Sequence, residues 1–109
     1  MANTFKNARL VVTASMSTIY TCPGSTTALV LLAQATNIHA STDATVSLQW
    51  LDSSASSAVT RLAKNVALPL GAALGLLDGK LVLEAGDVLQ SSANAVSSVE
   101  LTVSVLELT

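Results

Sequence analysis

The side chains that most often carry chemistry are scarce in this chain. Its 109 residues include one histidine, one cysteine and three aromatics, and only 11% of them are charged. Each shortage excludes a class of function. A lone Cys22 cannot close an internal disulfide. His39 and Cys22 together are too few for a four-ligand zinc site, and one histidine does not make a multi-histidine metal centre. A Cys22–His39 nucleophilic dyad is disfavoured as well, because Cys22 precedes proline in a turn with no helix N-terminus to lower its pKa. Phe5, Tyr20 and Trp50 are too few to build stacking platforms for sugars or single strands. The cations Lys6, Arg9, Arg61, Lys64 and Lys80 are scattered, and the net charge is −2. That pattern lacks the basic footprint a nucleic-acid binder needs to neutralise phosphates.

Long apolar runs are missing too. The longest, Ala28 to Ala33, is far short of the roughly 20 residues of a membrane helix. After Lys6 and Arg9 only Leu10 to Val12 are apolar before Thr13 intervenes, which is not the apolar stretch of a signal peptide. The expectation is a soluble protein made in the cytoplasm, with neither membrane nor nucleic acid as partner.

The seven carboxylates are Asp43, Asp52, Asp78, Glu84, Asp87, Glu100 and Glu107. Asp52, Asp78 and Asp87 stand where turn aspartates stand, capping the backbone. Neither Asp52 nor Asp87 has the alternating acidic spacing of a dedicated calcium loop. No nucleophile elbow, P-loop or dinucleotide fingerprint occurs. The chain is therefore expected not to be an enzyme and to need no cofactor or metal.

What is abundant is Leu, Val and Ala interleaved with Ser and Thr, in the two-residue period of strands. The organising stretch is Leu81 to Gln90. Two apolar runs flank Glu84-Ala85-Gly86-Asp87, where Gly86 supplies a reversal and Asp87 caps it: strand, corner, strand. Strands are expected at Ala8 to Ala14, Thr18 to Thr21, Thr26 to Ile38, Ala44 to Leu51, Ala58 to Leu68 and Ala72 to Leu77. Within Thr26 to Ile38, the run Ala28 to Ala33 could be helical on propensity alone, but it is short, follows a tight turn and starts Thr-Thr, which favours a strand buried on both faces. In Ala44 to Leu51, Val46, Leu48 and Trp50 face one way, and Trp50 is expected to anchor the core.

Turn signals separate these runs. Cys22-Pro23-Gly24-Ser25 has the pattern of a type II turn with Gly24 at positive φ. Asp52 to Ser57 reads as an exposed loop, Asp78-Gly79 as a hairpin turn, and Asn94 to Ser97 as another loop. Val99 to Val105 alternate, and the break in parity at Leu106 suggests a bulge or a strand end covered on both faces.

The sum is an all-β, single-domain β-sandwich of eight or nine strands, either jelly-roll or immunoglobulin-like. Residues 8–109 form the domain. Residues 1–7 lack core periodicity and read as an extended N-terminal arm. Low charge and half the residues apolar leave a surface poorly defended against association, so part of the apolar excess is expected to be covered by partners.

Several of these motifs occur in a familiar order. Ile19-Tyr20-Thr21-Cys22-Pro23-Gly24, an apolar strand ending at Asn37-Ile38, and Ala44-Thr45-Val46 with Trp50 make one half. Leu68-Pro69-Leu70-Gly71, Leu81-Val82-Leu83-Glu84-Ala85-Gly86-Asp87 and Ser104-Val105-Leu106-Glu107 make the other. Across residues 8 to 108 the chain resembles small β-sandwich virion proteins of tailed bacteriophages, of the capsid cement or decoration type or the tail and neck accessory type. These are turn and corner motifs, which specify a fold better than a role.

The resemblance implies a non-enzymatic virion component that binds the major capsid protein or other virion proteins and forms a homo-oligomer. A trimer would fit the three-fold sites of capsid shells. The alternative role is a tail, neck or fibre accessory domain that binds host glycans. The arm supplies the expected partner contacts: Asn3, Phe5 and Lys6.

Overall fold

A computed structural model of the chain describes residues 2–39, 41–94 and 99–109. Among these, nine strands form two antiparallel sheets. The strands are β1 (Asn3–Val12), β2 (Ser17–Thr21), β3 (Thr27–Asn37), β4 (Ala44–Asp52), β5 (Ala58–Leu68), β6 (Ala73–Gly75), β7 (Leu81–Leu83), β8 (Val88–Ala93) and β9 (Val99–Leu108). One sheet runs β1-β9-β3-β6, with β7 also paired to β3; the other runs β2-β8-β4-β5.

This order decides between the two sandwiches the sequence allows. β6 and β7 pair with successive parts of one edge of β3 and so count as one broken strand. The pairings then nest as first with last, second with second-last, third with the broken strand, and β4 with β5. That nesting is a jelly roll. It also removes the hairpin expected at Asp78-Gly79. Gly79 does have φ +91, but the strands on either side pair with β3 and not with each other.

The core lies between the sheets and is aliphatic. Val12, Val30, Val46, Leu48, Leu68, Leu83, Leu89, Leu101 and Val103 are fully buried. The small side chains Ala28, Ala33, Ala35 and Ala44 are buried in the same core. Trp50 is only half-buried and packs against this core from its margin.

Four local expectations need correction. The strand expected from Ala8 begins at Asn3, and Asn3–Asn7 are hydrogen-bonded along β9 in unbroken register. This half of β1 has both faces in solvent, so no apolar alternation marked it as strand. At the Cys22–Ser25 turn, the left-handed residue is Ser25 (φ +56) and Gly24 is not among the positive-φ residues. Thr26 Oγ1 there donates back to the Gly24 carbonyl at 3.1 Å.

β9 carries no bulge at Leu106, because its register with β1 is continuous. Parity continues, and Glu107 takes a core-facing position. The irregularity lies across the ladder in β3, between Val30 and Leu32. Finally, β3 is buried on one face only. The bulge turns both Leu31 and Leu32 outward, so the long apolar run is half core and half exposed surface. The loop expected at Asn94 to Ser97 lies outside the described residues beyond Asn94.

Candidate assembly surface

The outer face of the first sheet concentrates the exposed apolar side chains. Alternation puts odd residues of β1 and even residues of β9 on this face, opposite the buried Val12, Leu101, Val103 and Val105. The register then lines up Phe5 with Leu106, Leu106 with Leu29, and Leu29 with Val82. One row therefore crosses all four strands β1, β9, β3 and β7, with neighbouring side chains at cross-strand contact distance. Phe5 is 72% exposed and Val82 54%. Leu108, in the next row, and Leu31 and Leu32, at the β3 bulge, widen the patch. Together these side chains leave on the order of 500 Å² of apolar surface in water, at the upper end for the largest patch on a monomer.

The rest of the face is polar apart from Val11. Arg9, Thr102 and Gln34 share a row, as do Val11, Glu100 and Thr36. The outer face of the second sheet is polar where Thr18, Gln90, Gln49 and Arg61 align across it. There Gln49 Nε2 donates to Gln90 Oε1 at 2.9 Å, and Gln90 Nε2 to Thr18 Oγ1 at 3.3 Å. The two outer faces therefore differ: one has its amides tied into a hydrogen-bonded ladder, the other leaves leucines and a phenylalanine bare.

The expected contact residues are divided between environments. Asn3 and Phe5 lie on the outer face of β1, beside Leu108 and Leu106. Lys6 points the other way, and its Nζ meets Glu107 Oε1 at 3.0 Å. Glu107 Oε2 accepts from the Tyr20 hydroxyl at 2.6 Å. Tyr20 belongs to the second sheet, so this carboxylate ties the two sheets together at the β1 edge. The hydrogen bond from Tyr20, then that from Lys6, holds the Glu107 carboxyl below its usual range. Burial, then the bond to Glu107, pushes the Tyr20 phenol well above its own. Residue types alone do not show this triad, because the three residues lie on three strands; the only sign in the sequence is a glutamate at a core parity of β9.

Cys22 and His39 are placed far apart, and Asp52 and Asp87 are engaged by loop donors. Cys22 is buried beside the start of β3, with its thiol against the carbonyls of Thr26 and Leu83. Burial raises its pKa. His39 is exposed beyond the far end of β3, a strand of 11 residues and so about 35 Å long. The two cannot form a dyad. Asp52 Oδ1 accepts from the backbone and hydroxyl of Ser54.

Asp87, 1% exposed, closes the corner. Its Oδ1 accepts from Ser53 N at 2.9 Å and Ser53 Oγ at 3.0 Å, and its Oδ2 from Glu84 N at 2.9 Å. Gly86 turns the chain at φ +87, and the corner's backbone is bonded to Cys22 on both sides. These carboxylates fix loops by filling their lone pairs with protein donors. Among the described residues, no three of His, Cys, Asp and Glu are grouped to hold a metal ion, and no helix is long and apolar enough to cross a membrane.

No family model matches the chain, and no curated protein matches it in sequence. Solved structures do. A chain from the acid-stable capsid structure of Helicobacter pylori bacteriophage KHP30 is similar with a TM-score of 0.62 and 12% identity, over 100% of this chain and 89% of that one. A chain from the Bacillus endospore appendages, described as disulfide-linked pili, gives 0.59 and 9%, over 99% and 87%. A chain from infectious bursal disease virus, Gx strain, gives 0.55 and 8%, over 98% of this chain but 30% of that one. At such identities the likeness is one of fold: a sandwich of this kind occurs in assembled viral particles and in a pilus.

Proposed function

We propose that this chain is a structural protein of a virion, and within that class a capsid cement or decoration protein of a tailed phage. It would bridge neighbouring copies of the major capsid protein. The observation that carries the reading is the apolar row Phe5–Leu106–Leu29–Val82 across one outer sheet face, on a domain whose buried carboxylates, Asp87 and Glu107, and lone thiol are committed to the fold. The fold shared with a chain of a phage capsid structure supports it.

Burying about 500 Å² of apolar surface contributes on the order of 10 kcal/mol before association costs, and those costs are of similar size. A single contact is therefore weak. Many copies on one shell, each a multivalent bridge, make it effective.

Two other roles fit less well. A glycan-binding tail or fibre domain needs exposed aromatic faces. Here Tyr20 and Trp50 pack against the core and Phe5 alone stands out in solvent. A disulfide-linked pilus cannot be joined through Cys22, whose thiol is inside the sandwich.

The test is electron cryomicroscopy of particles that carry the chain. Density on the outside of the shell with this face against a capsomer is the expected result. Val82→Asp and Leu32→Asp, both at exposed positions, should empty the sites while the isolated protein stays folded. Full occupancy by both variants, or glycan-array binding with no density on the shell, would overturn the reading. Point variants are preferred to deleting residues 1–7, because that deletion also removes half of β1 and the Lys6–Glu107 bridge.

A further inference from the structure

A sheet edge accepts another strand unless something prevents it. The edges of this sandwich are unequally protected. β5 is shifted twice against β4, has Asn65 in the left-handed region (φ +49) and carries Arg61 and Lys64. β2 is five residues long and irregular between Thr18 and Tyr20. β6 and β7 are three residues each. β1 differs from all of them. It runs ten residues in unbroken register with β9, without a bulge or a positive φ. Among the described residues, β9 is its one strand partner. Of its two cations, the inward Lys6, which would deter pairing, is already neutralised by Glu107, and Arg9 stands exposed on the outer face.

We propose that β1 is a self-association edge, where β1 of a second copy pairs antiparallel about Ala8. The occupant follows from the comparison of edges: the longest and least interrupted edge a second copy can offer is its own β1. Such pairing is isologous and closes at two copies. The inference does not depend on the virion reading.

The register follows from the side chains. A continuous sheet with both cores on one side pairs residues of like parity. Pairing about Lys6 would set Lys6 on Lys6, and pairing about Arg9 would set Arg9 on Arg9, both opposed by like-charge repulsion. Pairing about Asn7 puts Phe5 against Arg9 and leaves Val11 against Asn3. Pairing about Ala8 sets Phe5, 72% exposed, against Val11 of the second copy, 48% exposed, and does so twice. These two bare apolar residues of the strand stand three positions either side of Ala8. Lys6 then faces Leu10 and Arg9 faces Asn7, with no like charges opposed. The apolar row of one copy continues across the junction as Val82, Leu29, Leu106, Phe5 and the second copy's Val11.

The experiment is sedimentation equilibrium of the intact protein at micromolar concentrations, with oxidative cross-linking of Ala8→Cys. Residues directly opposed in an antiparallel pair have Cα atoms about 4.5–5.5 Å apart, inside the range a disulfide spans. The expected mass is twice 11.1 kDa, with a cross-link mapped to position 8. Lys64→Cys, on the guarded β5 edge, should not cross-link. Phe5→Asp should weaken the dimer by at least about tenfold, since a charge would face Val11, with an unchanged circular dichroism spectrum. A single-chain mass throughout, an oligomer indifferent to Phe5→Asp, or cross-linking at position 64 as fast as at position 8 would each overturn the proposal.

Discussion

Replacing Asp87 with asparagine keeps the shape of the corner and removes its charge. If the new amide keeps its oxygen on Ser53 N and Ser53 Oγ, its NH2 faces the N–H of Glu84, which the second carboxylate oxygen had accepted at 2.9 Å. Two donors then oppose each other in a site that is 1% exposed. Losing one hydrogen bond to a charged acceptor costs about 1.5–3 kcal/mol. The two remaining bonds become neutral ones, roughly half as strong, while the cost of burying a charge is relieved. The net loss should be about 3 kcal/mol, a fall in Tm of about 12 °C at the roughly 4 °C per kcal/mol of a domain this size.

Urea titrations at several pH values provide the assay. Burial alone would raise the Asp87 pKa, but the bonds from Ser53 N, Glu84 N and Ser53 Oγ outweigh it and hold the carboxyl below its usual range. A depressed native pKa stabilises above the unfolded value of about 3.9 and loses that contribution as pH falls through the native one. The gap between wild type and Asp87→Asn should therefore be widest at neutral pH and narrow below about pH 4. A variant within about 0.5 kcal/mol of wild type at pH 7, or a gap that stays constant into acid, would refute the reasoning.

Tyr20→Phe should let the Glu107 carboxyl titrate closer to its usual range, as followed by carboxyl-carbon NMR, because the phenol is the first cause of its depression. An unmoved Glu107 midpoint would show that the inter-sheet bond is not made in solution. Cys22 should resist thiol reagents until the protein unfolds, since its sulfur is buried and its pKa raised by that burial. Labelling of the native protein as fast as a free thiol would mean that the corner around Gly86 opens readily.

The middle of the chain was easier to read than its ends. Ala58–Leu68 is a strand with the expected bounds, and Ala44–Asp52 differs by one residue. In Ala44–Asp52, the alternation that puts Val46 and Leu48 in the core reflects a wall of the sandwich. The corner at Glu84–Asp87 was legible because Gly86 and Asp87 act locally, through φ and a short side chain. The first half of β1 was not. A strand extending past its core carries no apolar period, and what identifies it is the partner β9, about a hundred residues further along the chain.

The same division holds for the surface. The sequence shows an excess of Leu and Val over what a 109-residue core of low charge would need, but not where the excess goes. Its placement depends on register. A bulge at Val30/Leu32 turns two leucines outward, and pairing through β9 aligns Phe5 with Leu106, Leu29 and Val82. Composition and two-residue periodicity determined a layered all-β domain poor in reactive groups, because those properties are local or additive. The jelly-roll order, the joining of Lys6, Tyr20 and Glu107, and the gathering of apolar side chains on one face were decided only by tertiary structure, because each depends on which distant strands lie side by side.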